Sequence, residues 1–332
     1  MNEAILKPYI RAVDPERDKD LPVFSHSSLE QFVNCPYAYN LKYNEDKRSE
    51  DTTLALELGS LLHKILEIKG HWVHLGVDID FDKLYNIIES GYEEQDEKTS
   101  EKLRGVKALK RSYFENWYAK DNASGMTYEE KLKLFKSTVL QNEMTDDEWK
   151  PIYFELPFEF VWNNRCIIHG FIDRVDIKDG EFRVVDYKTS KKVFDDSKVK
   201  TSQQFGIYAC AILNMFGKLP IEYEYDFILL NQKQQAMSTG WEKRFIKKIE
   251  KILDAINKCN ESKIFSPKPC PLCYYCNYCA NNPNAKEYQH ECIYFSLWTP
   301  TEKSFSVNEE FNILDFRKNK EKSKTEKRKI FF

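Results

Sequence analysis

Asp186-Tyr187-Lys188 ends an apolar run that includes Val184 and Val185, and Gly170-Phe171-Ile172-Asp173-Arg174-Val175-Asp176 carries acids after another apolar run just before it. A strand repeats its side-chain direction every two residues. Asp186 and Lys188 therefore point to one face, and Val185 and Tyr187 to the other. With Asp173 added from the partner strand of a hairpin, two carboxylates offer hard oxygen ligands to Mg²⁺ or Mn²⁺, which leave positions for water and phosphate oxygens. Such an ion activates water and polarises a phosphodiester. Lys188 beside it would orient or deprotonate the water, or offset the charge that builds in the transition state. This is nuclease chemistry. The triplet alone carries little weight, because an acid also stands two residues before a Lys at Glu45, Asp96, Glu129, Glu148, Asp176, Asp196 and Glu261. A surface salt bridge is the competing account of Asp186 and Lys188; the apolar run and the acidic hairpin partner distinguish them from the other triplets.

Three segments rich in β-branched and aromatic residues carry these groups: Ile152–Trp162, Cys166–Ile177 and Glu181–Tyr187, separated by the turn signals Asn163-Asn164 and Asp179-Gly180. They predict an antiparallel meander. A helix over about 202–216, a strand over 221–230 and a helix over 241–257 complete an α+β core. Upstream, Ser27 and Glu30 have the spacing of a capping box, predicting a helix from Ser28 to about Tyr43. A second helix, over 53–69, gathers Leu54, Leu58, Leu61, Leu62, Ile65 and Ile68 into one apolar stripe, carries His63 and meets a stop at Gly70. Charged and aromatic residues at helical spacing fill about 75–148, a helical insertion with a turn at Ser124-Gly125. The ends are a polar leader, 1–26, and a basic tail, 299–332. In that tail Arg317–Lys329 holds eight Lys or Arg against two Glu, the composition of a mobile segment.

Together these motifs resemble the PD-(D/E)XK nuclease superfamily, and within it the RecB-like exonuclease branch that includes the CRISPR-associated four-cysteine exonucleases. Gly59-Ser60-Leu61-Leu62-His63 is similar to that branch's Gly-x-x-x-His helix, and Gly170-x-Ile172-Asp173-Arg174-x-Asp176 to its first acidic motif. Asp186-Tyr187-Lys188-Thr189 is similar to its Asp-x-Lys motif, and Gln204-Phe205-Gly206-Ile207-Tyr208 to its Gln-x-x-x-Tyr helix, all in the family's order. The resemblance implies a restriction-endonuclease-like core, a central mixed sheet flanked by helices, in a nuclease domain over 27–298. It implies that His63, Asp173, Asp186 and the Tyr187 carbonyl bind the metal, that Lys188 is catalytic, and that Gln204 and Tyr208 support the site. Helical spacing puts Gln204 and Tyr208 on one face, although a helix that merely packs a Tyr has the same spacing. A His beside an apolar stripe is by itself more often a packed boundary residue, so the metal role of His63 rests on the resemblance. Asp176 and Glu155 could point into the site or pair with Arg174 or a nearby Lys; both are left outside the metal's ligands.

Cys270, Cys273, Cys276 and Cys279 place four thiols in ten residues, and Cys292 follows thirteen residues on. Thiolates separated by two residues can share one metal centre, either zinc or an iron–sulfur cluster. Zinc usually takes two separated pairs, and four thiolates drawn from 270–279 around one zinc would be crowded. The same family branch joins a Cys before the His helix to a Cys-x2-Cys-x5-Cys trio around a [4Fe–4S] cluster. By that resemblance Cys35, Cys270, Cys273 and Cys279 (segment 267–292) are the ligands. Cys276 departs from the pattern, so Cys35, Cys273, Cys276 and Cys279 form a competing set, and Zn²⁺ is the alternative metal. The cluster would act mechanically: joining Cys35 to Cys270 closes a loop of about 235 residues, roughly 5 kcal/mol of chain entropy. Cys166, Cys210 and Cys259 fall in or beside predicted strands and helices as small buried hydrophobes.

The chain has 332 residues, 42% apolar and 31% charged, with 11 Gly and 12 Pro, which excludes collagen-like, low-complexity and wholly disordered classes. No stretch nears the roughly 18 apolar residues of a membrane helix, and residues 1–20 have no signal-peptide core; a cytoplasmic or nucleoid location without a membrane partner is expected. Nine Cys are too few for a disulfide scaffold of this length. Fifty Lys+Arg against 53 Asp+Glu give a net charge of −3, so DNA, single-stranded or as duplex ends, must be held by local patches. Lys188, Lys191, Lys192, Lys198 and Lys200 are candidates, interrupted by Asp195 and Asp196, and the basic tail could add salt-sensitive attraction. Ile330-Phe331-Phe332 could dock a partner protein. There is no Gly-x4-Gly-Lys-[Ser/Thr] loop, so any helicase, like a replication or recombination partner, must be a separate subunit. The expected function is a metal-dependent deoxyribonuclease, an exonuclease favoured over an endonuclease, in replication, recombination or repair. Its rivals are a non-catalytic nuclease-fold subunit for DNA binding or assembly and a zinc-bearing nucleic-acid adaptor.

Overall fold

The computed structural model describes residues 3–48, 54–95, 102–106, 108, 126–140, 144, 148–190, 192–237, 240–280, 282, 285, 287–292 and 294. The basic tail, the Ser124-Gly125 turn and Lys191 lie outside these residues. Contacts divide the chain into two compact units, Met1–His26 with Thr52–Glu250 and Ser27–Asp51 with Lys251–Phe332.

In the first unit the strands are β1 (Ile10–Arg11), β2 (Val23–Ser25), β3 (Tyr92–Gln95), β4 (Lys102–Val106), β5 (Lys150–Trp162), β6 (Cys166–Lys178), β7 (Glu181–Lys188), β8 (Glu222–Phe227) and β9 (Gln232–Gln235). Among the described residues a seven-stranded mixed sheet runs β1-β5-β6-β7-β8-β9, with β2 parallel to β6, and β3 pairs with β4 separately. Helices on this sheet give the expected α+β architecture. The meander forms where the turn signals predict it. Asn163 and Asn164 (φ 48° and 53°) and Asp179 and Gly180 (φ 48° and 74°) adopt the left-handed backbone that tight hairpin loops require. They set the registers Trp162↔Cys166 and Lys178↔Glu181. β8 returns parallel to β7 after the helices Asp196–Lys200 and Gln203–Phe216, the crossover that parallel neighbours need. The strand expected over 221–230 ends at Phe227, because Ile228–Leu230 coil into a 3-10 turn. β9 is an addition to the expected strands: Gln232-Lys233-Gln234-Gln235 has no apolar alternation to signal one.

The His63 helix spans Leu54–Leu75, running through Gly70 where a stop is expected. Gly70 is a contact point instead: a Cβ there would lie 2.0 Å from Phe154 Cε1, so the missing side chain lets β5 approach the helix. The helix ends before Gly76, whose φ is 65°, the left-handed terminator a glycine allows. Leu58, Leu61, Leu62, Ile65 and Leu66 pack with Ile87 of the helix Phe81–Ser90, Phe135 of the helix Tyr128–Leu140, and Val185 and Tyr187 of β7. Each large apolar side chain so buried contributes roughly 1.5–3 kcal/mol. The stretch expected to be wholly helical, 75–148, also holds the β3–β4 pair. Asp80 caps the helix Phe81–Ser90 by accepting the Lys83 N–H at 2.9 Å.

In the second unit the helix expected over 28–43 is broken. Helices His26–Asn34 and Pro36–Tyr39 flank Cys35, which is extended at φ −158°. The ring of Pro36 disfavours a helical conformation at the residue before it, and proline offers no N–H to continue the ladder. The helix Glu242–Ser262 begins one residue after the predicted start and runs five past the predicted end. Among the described residues no helix is long and apolar enough to cross a membrane.

Candidate active site

His63 comes from the long helix, Glu155 from β5 and Asp173 from β6. His63 Nδ1 lies 3.4 Å from Glu155 Oε1 and 3.5 Å from Asp173 Oδ1, and one ligand atom from each residue lies within 4.8 Å of the other two. Glu155 is the residue that motif reading leaves outside this group. The β5–β6 register, Phe154↔Arg174 and Leu156↔Ile172, sets position 155 opposite Asp173. Its backbone takes φ 45°, a left-handed conformation that costs a residue with a Cβ of order 1–3 kcal/mol. That outlier sits where the carboxylate meets the imidazole. Counting back from the Asn163-Asn164 loop pairs 155 with 173, which is the available sequence signal; the inverted backbone has none.

The second half of the site is a closed ring of side chains. Asp186 is 1% exposed, and Lys188 Nζ lies 2.5 Å from its Oδ2. The Tyr208 hydroxyl donates to Asp186 Oδ1 at 3.3 Å, Gln204 Nε2 donates to the Tyr208 hydroxyl at 2.9 Å, and Lys188 Nζ donates to Gln204 Oε1 at 3.1 Å. Gln204 and Tyr208 are one turn apart on the helix Gln203–Phe216, as their spacing predicts. Ser202 starts that helix by accepting the Phe205 N–H at 3.2 Å. Gly206 admits Phe245, whose Cδ2 would lie 2.2 Å from a Cβ at that position.

The Tyr187 N–H joins the halves by donating to Asp173 Oδ2 at 2.7 Å, which leaves Oδ1 facing His63. The Tyr187 ring lies on the opposite face from Asp186, in the core beneath the His63 helix, where its hydroxyl accepts from Arg174 Nη1 at 3.3 Å. Asp186 itself stands outside the three-residue group, held by Lys188 and Tyr208. Asp176 is fully buried between Arg174 and Arg183, at 2.9 and 2.7 Å. Gly59, Ser60, His63, Glu155 and Thr189 line an open cleft of about 500 Å³, through which an extended ligand can reach the imidazole. Lys192, Lys198 and Lys200 are exposed.

Burial opposes a charged imidazole, but Asp173 and then Glu155 outweigh it, and His63 titrates well above its ordinary value. Burial also opposes ionisation of Asp173, yet His63 and Lys188 hold its carboxyl below the usual range. Asp186 goes the other way: burial, helped by the Asp173 charge and only partly offset by Lys188, raises it to about 6. In the metal-free chain a His63 value raised above 6.5 means that its charge contributes stability below that pH, lost as pH rises through the folded value. A cation binds only the neutral imidazole, so it must displace that proton. Mn²⁺ affinity measured by titration calorimetry should therefore rise by up to about tenfold per pH unit until the pH passes the His63 value and then level off, and His63→Gln should flatten the slope. A pH-independent affinity would count against this protonation state.

All nine cysteines are reduced. Cys166, Cys210, Cys279 and Cys292 are buried, and Cys35, Cys259, Cys270, Cys273 and Cys276 are half-buried. Cys259 is thus less enclosed than expected.

A family model described as the PD-(D/E)XK nuclease superfamily matches residues 23–281. The chain is 25% identical over 283 residues to the Gene 69 protein of Mycobacterium phage D29, covering 77% of this chain and 95% of that protein. It is 30% identical over 218 residues to an ATP-dependent helicase/deoxyribonuclease subunit of Clostridium perfringens, covering 60% of this chain and 18% of that relative. With the ATP-dependent helicase/deoxyribonuclease subunit of Streptococcus agalactiae the identity is 28% over 179 residues, 52% of this chain and 15% of the relative. The chain thus spans less than a fifth of the length of the clostridial and streptococcal proteins. The family match takes in every residue of the His63–Tyr208 constellation, and the chain belongs to the PD-(D/E)XK nuclease superfamily.

Proposed function

We propose that this chain is a divalent-metal-dependent deoxyribonuclease, an exonuclease acting at DNA ends or in single strands during replication, recombination or repair. The observation that carries the reading is the convergence of His63, Glu155 and Asp173 within 4.8 Å. An imidazole with two carboxylates is a donor set that suits Mn²⁺ or Mg²⁺ when substrate oxygens and water complete the shell. These three residues would hold the ion, with Asp186 and the Tyr187 carbonyl as further ligands. When bound, the ion polarises the phosphodiester and lowers the pKa of the attacking water.

The chain's own residues supply the rest. Asp186 and Gln204 hold the Lys188 ammonium at 2.5 and 3.1 Å, so its charge is oriented before negative charge builds on the phosphate. Tyr208 fixes both Gln204 and Asp186, which keeps the ammonium from folding away into solvent. The clostridial and streptococcal relatives are named for an ATP-dependent helicase joined to a deoxyribonuclease, which supports DNA as substrate and a separate helicase as a possible partner type. A [4Fe–4S] cluster on the cysteine segment belongs to the same proposal, as a structural centre.

The test is digestion of end-labelled linear and covalently closed circular DNA, single- and double-stranded, with Mn²⁺, Mg²⁺ or EDTA. Mononucleotide or short-oligonucleotide release from linear substrates alone, abolished by EDTA, is expected. Cutting of circles at an equal rate would make the chain an endonuclease, and intact DNA in every metal would remove the catalytic reading.

A further inference from the structure

The second unit carries more thiols than a four-ligand centre needs, and their surroundings separate them. Cys35, Cys276 and Cys292 share one apolar cluster with Ala38, Leu41 and Tyr278, walled by Tyr37, Tyr288 and Tyr294; Cys270, Cys273 and Cys279 are not in it. Cys292 is brought there by a backbone β-bridge to Cys279 and by donating its N–H to the Tyr278 carbonyl at 2.7 Å. Cys35 is extended at the break before Pro36, and its Sγ accepts the Lys268 N–H at 3.5 Å.

Backbone donors aim at the other sulfurs too. The Cys270 N–H donates to Cys273 Sγ at 3.4 Å, the Tyr278 N–H to Cys276 Sγ and the Tyr294 N–H to Cys292 Sγ. Such N–H groups favour the thiolate that a metal requires. Among the described residues no three thiol sulfurs lie within 4.8 Å of one another, whereas a single zinc with bonds near 2.3 Å draws its sulfurs to about 3.8 Å. A polynuclear cluster spaces its ligand sulfurs more widely.

We infer that the iron–sulfur ligands of this chain are Cys35, Cys273, Cys276 and Cys292, with Cys270 and Cys279 outside the cluster. The set departs from the Cys-x2-Cys-x5-Cys trio that the family resemblance implies, and it rests on the proposed cluster but not on nuclease activity. The Cys273 thiol is hydrogen-bonded to those of Cys279 and Cys270 and also lies near those of Cys276 and Cys292, so it links the two groups. Burial comes first in raising the Cys276 thiol to about 12, and the thiols of Cys273, Cys292 and Cys35 add to it. Burial likewise leads for Cys292, followed by its Tyr294 N–H bond, which opposes the rise, and then the Cys273 and Cys35 thiols. These groups are neutral without metal, so loading the cluster releases protons. The four tyrosines then shield the centre from solvent, as the apolar shell of a metal site does.

The experiment measures iron, acid-labile sulfide and visible absorption of the full chain purified or reconstituted without oxygen, and of Cys270→Ser and Cys292→Ser. Cys270→Ser should keep the iron, sulfide and spectrum of the parent, and Cys292→Ser should lose most of its iron and the visible band. Loss in Cys270→Ser, full retention in Cys292→Ser, or a colourless parent holding zinc or no metal would each overturn the assignment. Because Cys292→Ser could also weaken folding, the unsubstituted chain supplies a second readout. Iodoacetamide labelling followed by peptide mass spectrometry should find Cys35, Cys273, Cys276 and Cys292 protected while loaded and reactive after chelation, with Cys270 reactive in both states. Reactive Cys276 or Cys292 in the loaded chain would contradict it.

Discussion

Asp173→Asn is expected to lower DNA hydrolysis by about 10³-fold or more while leaving the chain folded. Asparagine keeps the shape of the carboxylate, and its oxygen can still accept the Tyr187 N–H that now holds Oδ2 at 2.7 Å. What it removes is the charge facing His63, on one of the residues proposed to hold the ion. A metal's contribution to the transition state is several kcal/mol, and about 1.4 kcal/mol is a factor of ten in rate, so loss of the ion costs about three decades. The matching loss should appear in Mn²⁺ titrations of the same variant. Activity within about tenfold of the parent, with Mn²⁺ affinity unchanged, would show that Asp173 does not hold the catalytic ion.

Asp176→Ala should instead cost stability, about 3–5 kcal/mol in urea unfolding of the metal-free chain, the penalty for breaking a buried ion pair. Arg174 and Asp176 are both fully buried, Arg183 nearly so, and the carboxylate is shared by the two guanidinium groups at 2.9 and 2.7 Å. Removing it takes the nearest carboxylate from both buried cations, leaving Arg183 the longer contact to Glu222 at 3.6 Å and Arg174 the Tyr187 hydroxyl at 3.3 Å. Arg174 also steadies the Tyr187 hydroxyl, so the damage reaches the strand that presents Asp186 and Lys188. A loss below about 1 kcal/mol, the value of an exposed pair, would mean that the site is better hydrated than its burial indicates. Two acids three residues apart on β6 would thus separate by assay, one by rate and one by unfolding.

The parts of this protein that are legible in its sequence follow short-range rules. Asn163-Asn164 and Asp179-Gly180 declare two hairpin loops, and with them the alternation that puts Asp186 and Lys188 on one face. The i, i+4 spacing of Gln204 and Tyr208 foretells a pair, bonded at 2.9 Å in the structure. What escapes depends on partners distant in the chain. Gly70 looks like a helix stop because its contact with Phe154 lies 84 residues away. A helix running from Ser28 through Cys35 neglects Pro36, a local signal that is present and decides the break. Glu155 looks like an ordinary strand acid. Its register opposite Asp173 can be counted from the loop, but the left-handed backbone that turns it toward His63 arises from tertiary packing. Asp186 pairs with Lys188 at 2.5 Å, as their shared strand face predicts.

The most direct measurement is diffraction from crystals grown with Mn²⁺, collected for anomalous scattering. An ion bound jointly by His63, Glu155 and Asp173 is predicted, at the point where their ligand atoms now lie within 4.8 Å of one another. A peak elsewhere, or none at saturating Mn²⁺ with His63 still paired to the two carboxylates, would contradict the account at its centre.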